Sequence, residues 1–181
     1  MFKQFGMAYD PNMDYEYAEM PLDQLFSQHH KGCTCEYRDF VTMTIAAYER
    51  NMKSEANIFP DVPLTLGILR SNNRRLGIVS RSYEHHIRMI LSDFSMEDAF
   101  DSIVGLERAV LQRPNPYTVD LCMREMGADR NNTLLVSSNP LDIETGHNAG
   151  VKTALLDRSG HTGPDCGPTY YISSFDEILK L

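Results

Sequence analysis

No stretch of the 181 residues comes near the ~18 consecutive apolar side chains that a membrane-crossing helix needs. No run of Lys or Arg exceeds two, and acidic groups outnumber basic ones 25 to 17. Nucleic acid and anionic membrane are therefore poor partners. The opening residues, MFKQFGMAYDPN, lack the apolar core and cleavage pattern of a secretory signal, so the cytoplasm is the expected compartment. Cysteine is sparse, at 33, 35, 122 and 166, and without a secretory signal these four do not read as a disulfide framework. Cys122 falls on an apolar helical face, where a thiol acts as a small hydrophobe. His29, His30, Cys33 and Cys35 gather ligating atoms, but a lone C-x-C spacing matches no structural zinc pattern, so a polar loop is expected there. The composition that remains, 42% hydrophobic and 23% charged with 11 Gly and 9 Pro, excludes disordered and collagen-like chains. The length suits one domain with a small appendage.

From residue 58 onward, helical and strand-like segments alternate. Val62, Leu66 and Leu69 form a helical stripe over 61–73, closed by a Ser-Asn-Asn stop. A short apolar run then predicts a buried strand at about 75–80. Ile87, Ile90, Leu91 and Phe94 restore helical spacing over 83–94, and a second short strand follows at 100–105. Residues 114–127 read as a helix opened by proline and closed by Gly127. A strand over 132–138 leads into a helix over 140–150 with Pro140 in its first turn. A strand over 151–157 and a final helix over 174–181, capped by Ser173 or Ser174, complete the series. Asn131-Asn132-Thr133 matches a glycosylation acceptor but reads as a helix-to-strand turn.

The first 57 residues differ: they are Met- and Tyr-rich, with helices expected over 21–30 and 36–53. This segment reads as a small helical cap or insert, with 5–10 as its one candidate strand. The core over 58–181 reads as α/β, a doubly wound and mostly parallel sheet covered on both faces. In such sheets ligands sit beyond the carboxyl ends of the strands. The residues there are Ser80-Arg81-Ser82, Ser137-Ser138-Asn139 and Asp157.

Three segments, LGIVSRS at 76–82, VLQRPNP at 110–116 and LLVSSNPLDIETGHNAGVKTALLD at 134–157, resemble in order and spacing the second, third and fourth motifs of the haloacid dehalogenase superfamily. The resemblance covers about two thirds of the chain. It implies a Rossmann-like fold and catalysis by an aspartate nucleophile, with a hydroxyl and a cation holding an anionic substrate and acids holding magnesium. Carried onto this sequence, Ser80 takes the hydroxyl position, Arg113 stands where the family has Lys, and Asp142 matches the second acid of the fourth motif. Ser138 replaces the first acid. The first motif is represented by Asp10 alone, with Asn12 in place of its second aspartate.

Losing these carboxylates removes most of the oxygen ligands a hard divalent ion requires, so no cofactor is certain and magnesium, which the resemblance allows, has little support. Ser137-Ser138-Asn139 with Asp142 resembles the metal-independent 2-haloacid dehalogenases, which use Ser137, Asn139 and Asp142 to support the nucleophile. The middle of the chain resembles the magnesium-dependent acid phosphatases. The resemblance thus implies a hydrolase acting on a phosphomonoester or a carbon–halogen bond, with catalytic residues Asp10, Ser80, Arg113 and Asp142. Ser80, Arg81, Arg113, Ser137, Ser138 and Asn139 would bind the substrate.

Each candidate also has an ordinary structural role. Ser137-Ser138-Asn139 can serve as a turn and N-cap, Asp142 suits the first turn of a helix, Arg113 can be a solvated loop cation, and Asp10 can belong to an Asp-Pro-Asn turn. The competing class is a non-catalytic relative, a pseudoenzyme that binds a small anion or a protein partner. His85 and His86 are expected one exposed and one partly packed.

Overall fold

The computed structural model describes residues 7, 10, 20–30, 35–160 and 166–181, with the main chain alone at 52–55. Two compact units divide the chain, Met1–Ala56 and Asn57–Leu181.

The first unit contains helices α1 (Leu22–His29) and α2 (Tyr37–Glu55). Pro21 precedes α1, where a missing N–H costs nothing, and its carbonyl accepts from Leu25 N at 2.9 Å. Leu25, on α1, and Phe40, on α2, are buried together with Met7. The Phe26 ring lies 5.3 Å from that of Phe40. Burying side chains of this size stabilises by about 1.5–3 kcal/mol each, enough to hold two short helices that would fray alone. Of the candidate strand at 5–10, only Met7 and Asp10 are among the described residues, and neither lies in a strand; the rest, like Cys33, falls outside them.

The second unit runs α3 (Asp61–Ser71), β1 (Gly77–Val79), α4 (Glu84–Asp93), β2 (Ser102–Val104), α5 (Tyr117–Met126), β3 (Leu134–Ser137), α6 (Pro140–Asn148), β4 (Lys152–Leu156) and β5 (Tyr170–Ile172). Every strand pair among the described residues is parallel: β1 with β2, β3 with β4, and β4 with β5. This is the parallel α/β organisation expected from the alternating pattern.

The strands are shorter than the sequence pattern suggested, and β5 was not anticipated. Its residues follow Gly167-Pro168 and carry two tyrosines, a weak strand signal. The C-terminal segment, expected as a helix, forms 3-10 turns over Phe175–Lys180. Ser174 caps it in a reciprocal box with Glu177, and the Glu177 carboxylate also accepts from Ser173.

Alternation along the strands explains the coverage of both faces. Ile78 and Ile103 pack on Ile87 and Leu91 of α4. Their neighbours Val79 and Val104 pack on Leu121 and Cys122 of α5. Successive side chains point to opposite faces of a sheet, so α4 and α5 cover opposite sides of β1 and β2. α5 also reaches β3, where Val119 and Met123 contact Leu135. Gly77 permits this close approach: a Cβ there would stand 2.4 Å from Cys122 Sγ. Gly127, at φ +59°, ends α5 in the left-handed turn that glycine favours. His85 is exposed, as expected of one of the pair, and His86 is fully buried where partial packing was expected.

Among the described residues the pairings stop at one place. β1–β2 and β3–β4–β5 are separate sheets. A cavity of about 710 Å³ lies between them, lined by the length of β1 on one side and of β3 on the other, with α5 along it.

Candidate functional site

At the carboxyl end of β3 the chain turns through Ser137, Ser138 and Asn139 into α6. Asn139 caps the helix: its side-chain oxygen accepts from Leu141 N at 2.9 Å. That meets one of the N–H groups a helix start leaves without an internal partner. Ser137 Oγ accepts from Asn139 N at 3.1 Å and donates to Asp142 Oδ2 at 2.7 Å. The other oxygen, Asp142 Oδ1, accepts from Arg113 Nη1 at 2.5 Å. Asp142 sits in the first turn of α6, where the helix dipole also favours its charge.

Arg113 arrives from the loop before α5. That loop is tied to the end of α6, where Asn148 Nδ2 donates to the Pro114 carbonyl at 2.9 Å. The Arg113 side chain is 15% exposed and that of Asp142 30%. This is a half-buried pair, in a setting where a charged hydrogen bond is worth more than at the open surface.

The fold therefore brings together four residues that the sequence singled out: Arg113, Ser137, Asn139 and Asp142. Ser138 lies beside them and is exposed. Asn139 and Asp142 take their expected places at the helix start, and each also belongs to the cluster. Arg113 is not a solvated loop cation. Asn148, which steadies the Arg113 loop, was not found from sequence, because a helix-end asparagine carries no local signal of a partner 34 residues away.

Ser80 lies just beyond β1. Its N–H donates to Val104 O at 3.0 Å, and its hydroxyl accepts from Ser82 N at 3.0 Å, a turn-forming contact. Arg81 is exposed. Arg113, Ser137 and Asp142 line the cavity, whereas Ser80 and Arg81 do not. Asp10 is exposed and belongs to the first unit.

The cluster fits a divalent ion poorly. Asp142 is its one carboxylate among the described residues, and both oxygens are engaged, one by a cation. A magnesium ion needs several oxygen ligands in near-octahedral array and does not share a carboxylate readily with a guanidinium.

A second charged network flanks β2. Ser102 Oγ donates to Glu125 Oε2 at 2.7 Å, and Arg108 pairs with the other oxygen of Glu125. The hydrogen bond from Arg108, then that from Ser102, holds the Glu125 carboxyl below the usual range. Burial pushes the Cys122 thiol up. No helix among the described residues is long and apolar enough to cross a membrane.

The family model of haloacid dehalogenase-like hydrolases matches residues 1–156. The pyrophosphatase PpaX of Oceanobacillus iheyensis is 34% identical over 139 residues, covering 74% of this chain and 65% of that protein. Haloacetate dehalogenase H-2 of a Moraxella species is 27% identical over 125 residues, covering 68% of this chain and 56% of that one. The chain thus spans about three fifths of the length of these two curated relatives. Among solved structures, a β-phosphoglucomutase-like protein from Thermotoga maritima superposes with a TM-score of 0.79 at 15% identity. That match covers 98% of this chain and 86% of the other and speaks to the fold alone.

Proposed function

Because the chain belongs to the haloacid dehalogenase-like hydrolases, we propose that it hydrolyses a small anionic substrate at a halogen-bearing carbon, without a divalent ion. One observation carries this reading: Arg113 is anchored by Asp142, which is anchored in turn by Ser137, in a cluster with no second carboxylate among the described residues. A guanidinium has five N–H donors in a planar fork, more than one carboxylate uses, and it suits a substrate carboxylate. Asp142 and Ser137 set its orientation, a positioning role, and Ser138 and Asn139 border the same turn. Ser80 supplies a hydroxyl from the neighbouring strand end.

Asp10 is the candidate nucleophile. Its carboxylate would attack the carbon as halide leaves, giving an ester that water then hydrolyses. The pyrophosphatase relative at 34% identity supports a second reading, attack on a phosphoryl group, with Arg113 offsetting the substrate's negative charge.

The test is halide release from chloroacetate and 2-chloropropionate by the full chain, beside phosphate release from p-nitrophenyl phosphate with and without magnesium. Metal-independent halide release that is lost in Arg113→Ala and Asp10→Asn is the expected result. Magnesium-dependent phosphate release alone would replace it with the second reading. Activity that survives Asp10→Asn would remove Asp10 as nucleophile. No turnover on either class leaves a non-catalytic anion-binding protein.

A further inference from the structure

α4 begins without a cap of its own. Its N-cap residue is Tyr83, whose side chain makes no capping hydrogen bond, yet the first N–H groups of a helix have no internal partner. The partner comes from 23 residues away: Glu84 N donates to the Glu107 carboxylate, at 3.1 Å to each oxygen. Glu107 sits in the 3-10 turn Leu106–Arg108 that follows β2. Its two neighbours reach the same segment. Leu106 N donates to Ser82 O at 2.9 Å, and the Arg108 guanidinium stands 4.0 Å from the Glu84 carboxylate. Successive residues of one strand-end loop thus hold the other.

Gly105 makes the approach possible. Its φ of −86° suits any residue, so backbone conformation does not call for glycine there. Space does: a Cβ would stand 2.5 Å from Glu84 N and 2.6 Å from Glu107 Oε2.

The grip ends on Ser80. Ser82 is pinned at both main-chain groups, its carbonyl by Leu106 N and its N–H by Ser80 Oγ at 3.0 Å. That second bond fills an acceptor site of the Ser80 hydroxyl. The hydroxyl proton, the group's one donor, has no protein acceptor among the described residues. The gripping loop then runs on to Arg113. Main-chain hydrogen bonds wind it, Arg108 N to Gly105 O at 3.1 Å, Ala109 N to Leu106 O at 3.0 Å and Asn115 N to Gln112 O at 3.0 Å. Arg108 ties it to β2 through Ile103 O at 3.1 Å. A Ser or Asp at position 83 would cap α4 locally. Capping from the loop that carries Arg113 does something a local cap does not: it sets the Ser80 hydroxyl and the Arg113 guanidinium in one frame.

Building on the anion site of the hydrolase reading, we propose that Glu107 is a positioning residue. By capping α4 it orients the Ser80 hydroxyl relative to Arg113, so that one small anion is held by both. Glu107 touches no substrate itself. It is exposed, so its replacement leaves the core intact.

The test is titration of the nitrogen-15-labelled full chain with chloroacetate and, separately, with inorganic phosphate, followed at the amides of Arg81, Ser82 and Arg113. At least one anion is expected to shift all three with a single Kd. Glu107→Ala should raise that Kd about fivefold, what one hydrogen bond of ordinary strength is worth. Glu107→Gln, which keeps an acceptor oxygen, should recover most of the loss. Ser80→Ala should weaken binding by a similar factor and the double variant no further, because Glu107 acts through that hydroxyl. Gly105→Ala, a wedge at the same place, should resemble Glu107→Ala. Arg88→Ala is the control: it removes the surface pair with Glu84, leaves the 105–108 turn alone, and should not change the Kd.

An unchanged Kd in Glu107→Ala overturns the inference. So do effects of Glu107→Ala and Ser80→Ala that multiply, an equal loss in Arg88→Ala, or the failure of both anions to shift the two strand ends together. The titration needs no turnover. A chain that binds an anion in this way but hydrolyses neither substrate class would sink the hydrolase reading and leave the role of Glu107 standing.

Discussion

β1 and β2 are paired neighbours of three residues each, yet they differ in burial. Ser102, Ile103 and Val104 of β2 are all buried, while Gly77 of β1 is exposed and Ile78 and Val79 are half-buried. β4 and β3 repeat the contrast: Thr153 and Ala154 are buried, and all four residues of β3 are partly open. In a sheet covered on both faces, strands with neighbours on both sides are normally the most enclosed. Here the strands beside the cavity are the open ones. The difference shows that helices alone do not bury a parallel strand; it also needs a strand on each edge.

The most damaging way to probe this contrast is to truncate matched isoleucines. Ile103→Ala, in β2, is expected to cost about 2–5 kcal/mol in chemical denaturation. Ile78→Ala, its register partner in β1, should cost about half as much, because part of its surface is already open to the cavity. Equal losses would mean that β1 is as enclosed in solution as β2.

Activity gives the next largest effect and separates the two strand ends. Asp142→Asn leaves the side chain's size but weakens its hold on Arg113. It should lower turnover on the active substrate by about 10- to 100-fold, the range for supports of this kind. Ser80→Ala, which breaks only the contact with Ser82 seen here, should act more weakly. Steady-state kinetics on both variants would invert this order if Ser80 were the dominant anchor.

The pH dependence of stability sharpens the comparison on the β2 side. The Glu125 carboxyl is held below its usual range by Arg108 and then Ser102. Its contribution is therefore complete above the unfolded value of about 4.3. It is lost as pH falls through the lowered folded value. Glu125→Gln should flatten the acid limb of a stability–pH curve by about 0.5–1 kcal/mol, the size of a partly exposed pair.

The smallest effect is chemical. Cys122, 4% exposed and with its thiol pushed up by burial, should react with iodoacetamide more slowly at pH 8 than the partly exposed Cys166. Mass spectrometry of the labelled peptides reads the order directly. Faster labelling of Cys122 would show that the cavity beside β1 opens widely.

Much of the second unit was legible because its signals are local. Pro140 and Asn139 announce the start of α6, Gly127 the end of α5, and the apolar runs at 77–79 and 134–137 the strands that end just before Ser80 and at Ser137. The candidate cluster was legible in part. Arg113 and Asp142 were both named, yet their pairing across 29 residues was not. Nothing local records that Asn148 steadies the Arg113 loop. β5 escaped because a three-residue strand is stabilised by its partner β4 more than by its own propensity. The C-terminal segment kept its Ser174 cap but, with six residues, has too little length to sustain an α-helix by itself.

The sequence by itself determined the order of helices and strands, their caps, and which residues stand at strand ends, because hydrophobic period, proline and glycine act within a few residues. Tertiary structure alone decided that Asp142 holds Arg113 and Ser137 together, and that β1 and β3 stand apart across a cavity. Both follow from chain segments meeting over long sequence separation, where packing and main-chain pairing choose among partners that no local pattern distinguishes.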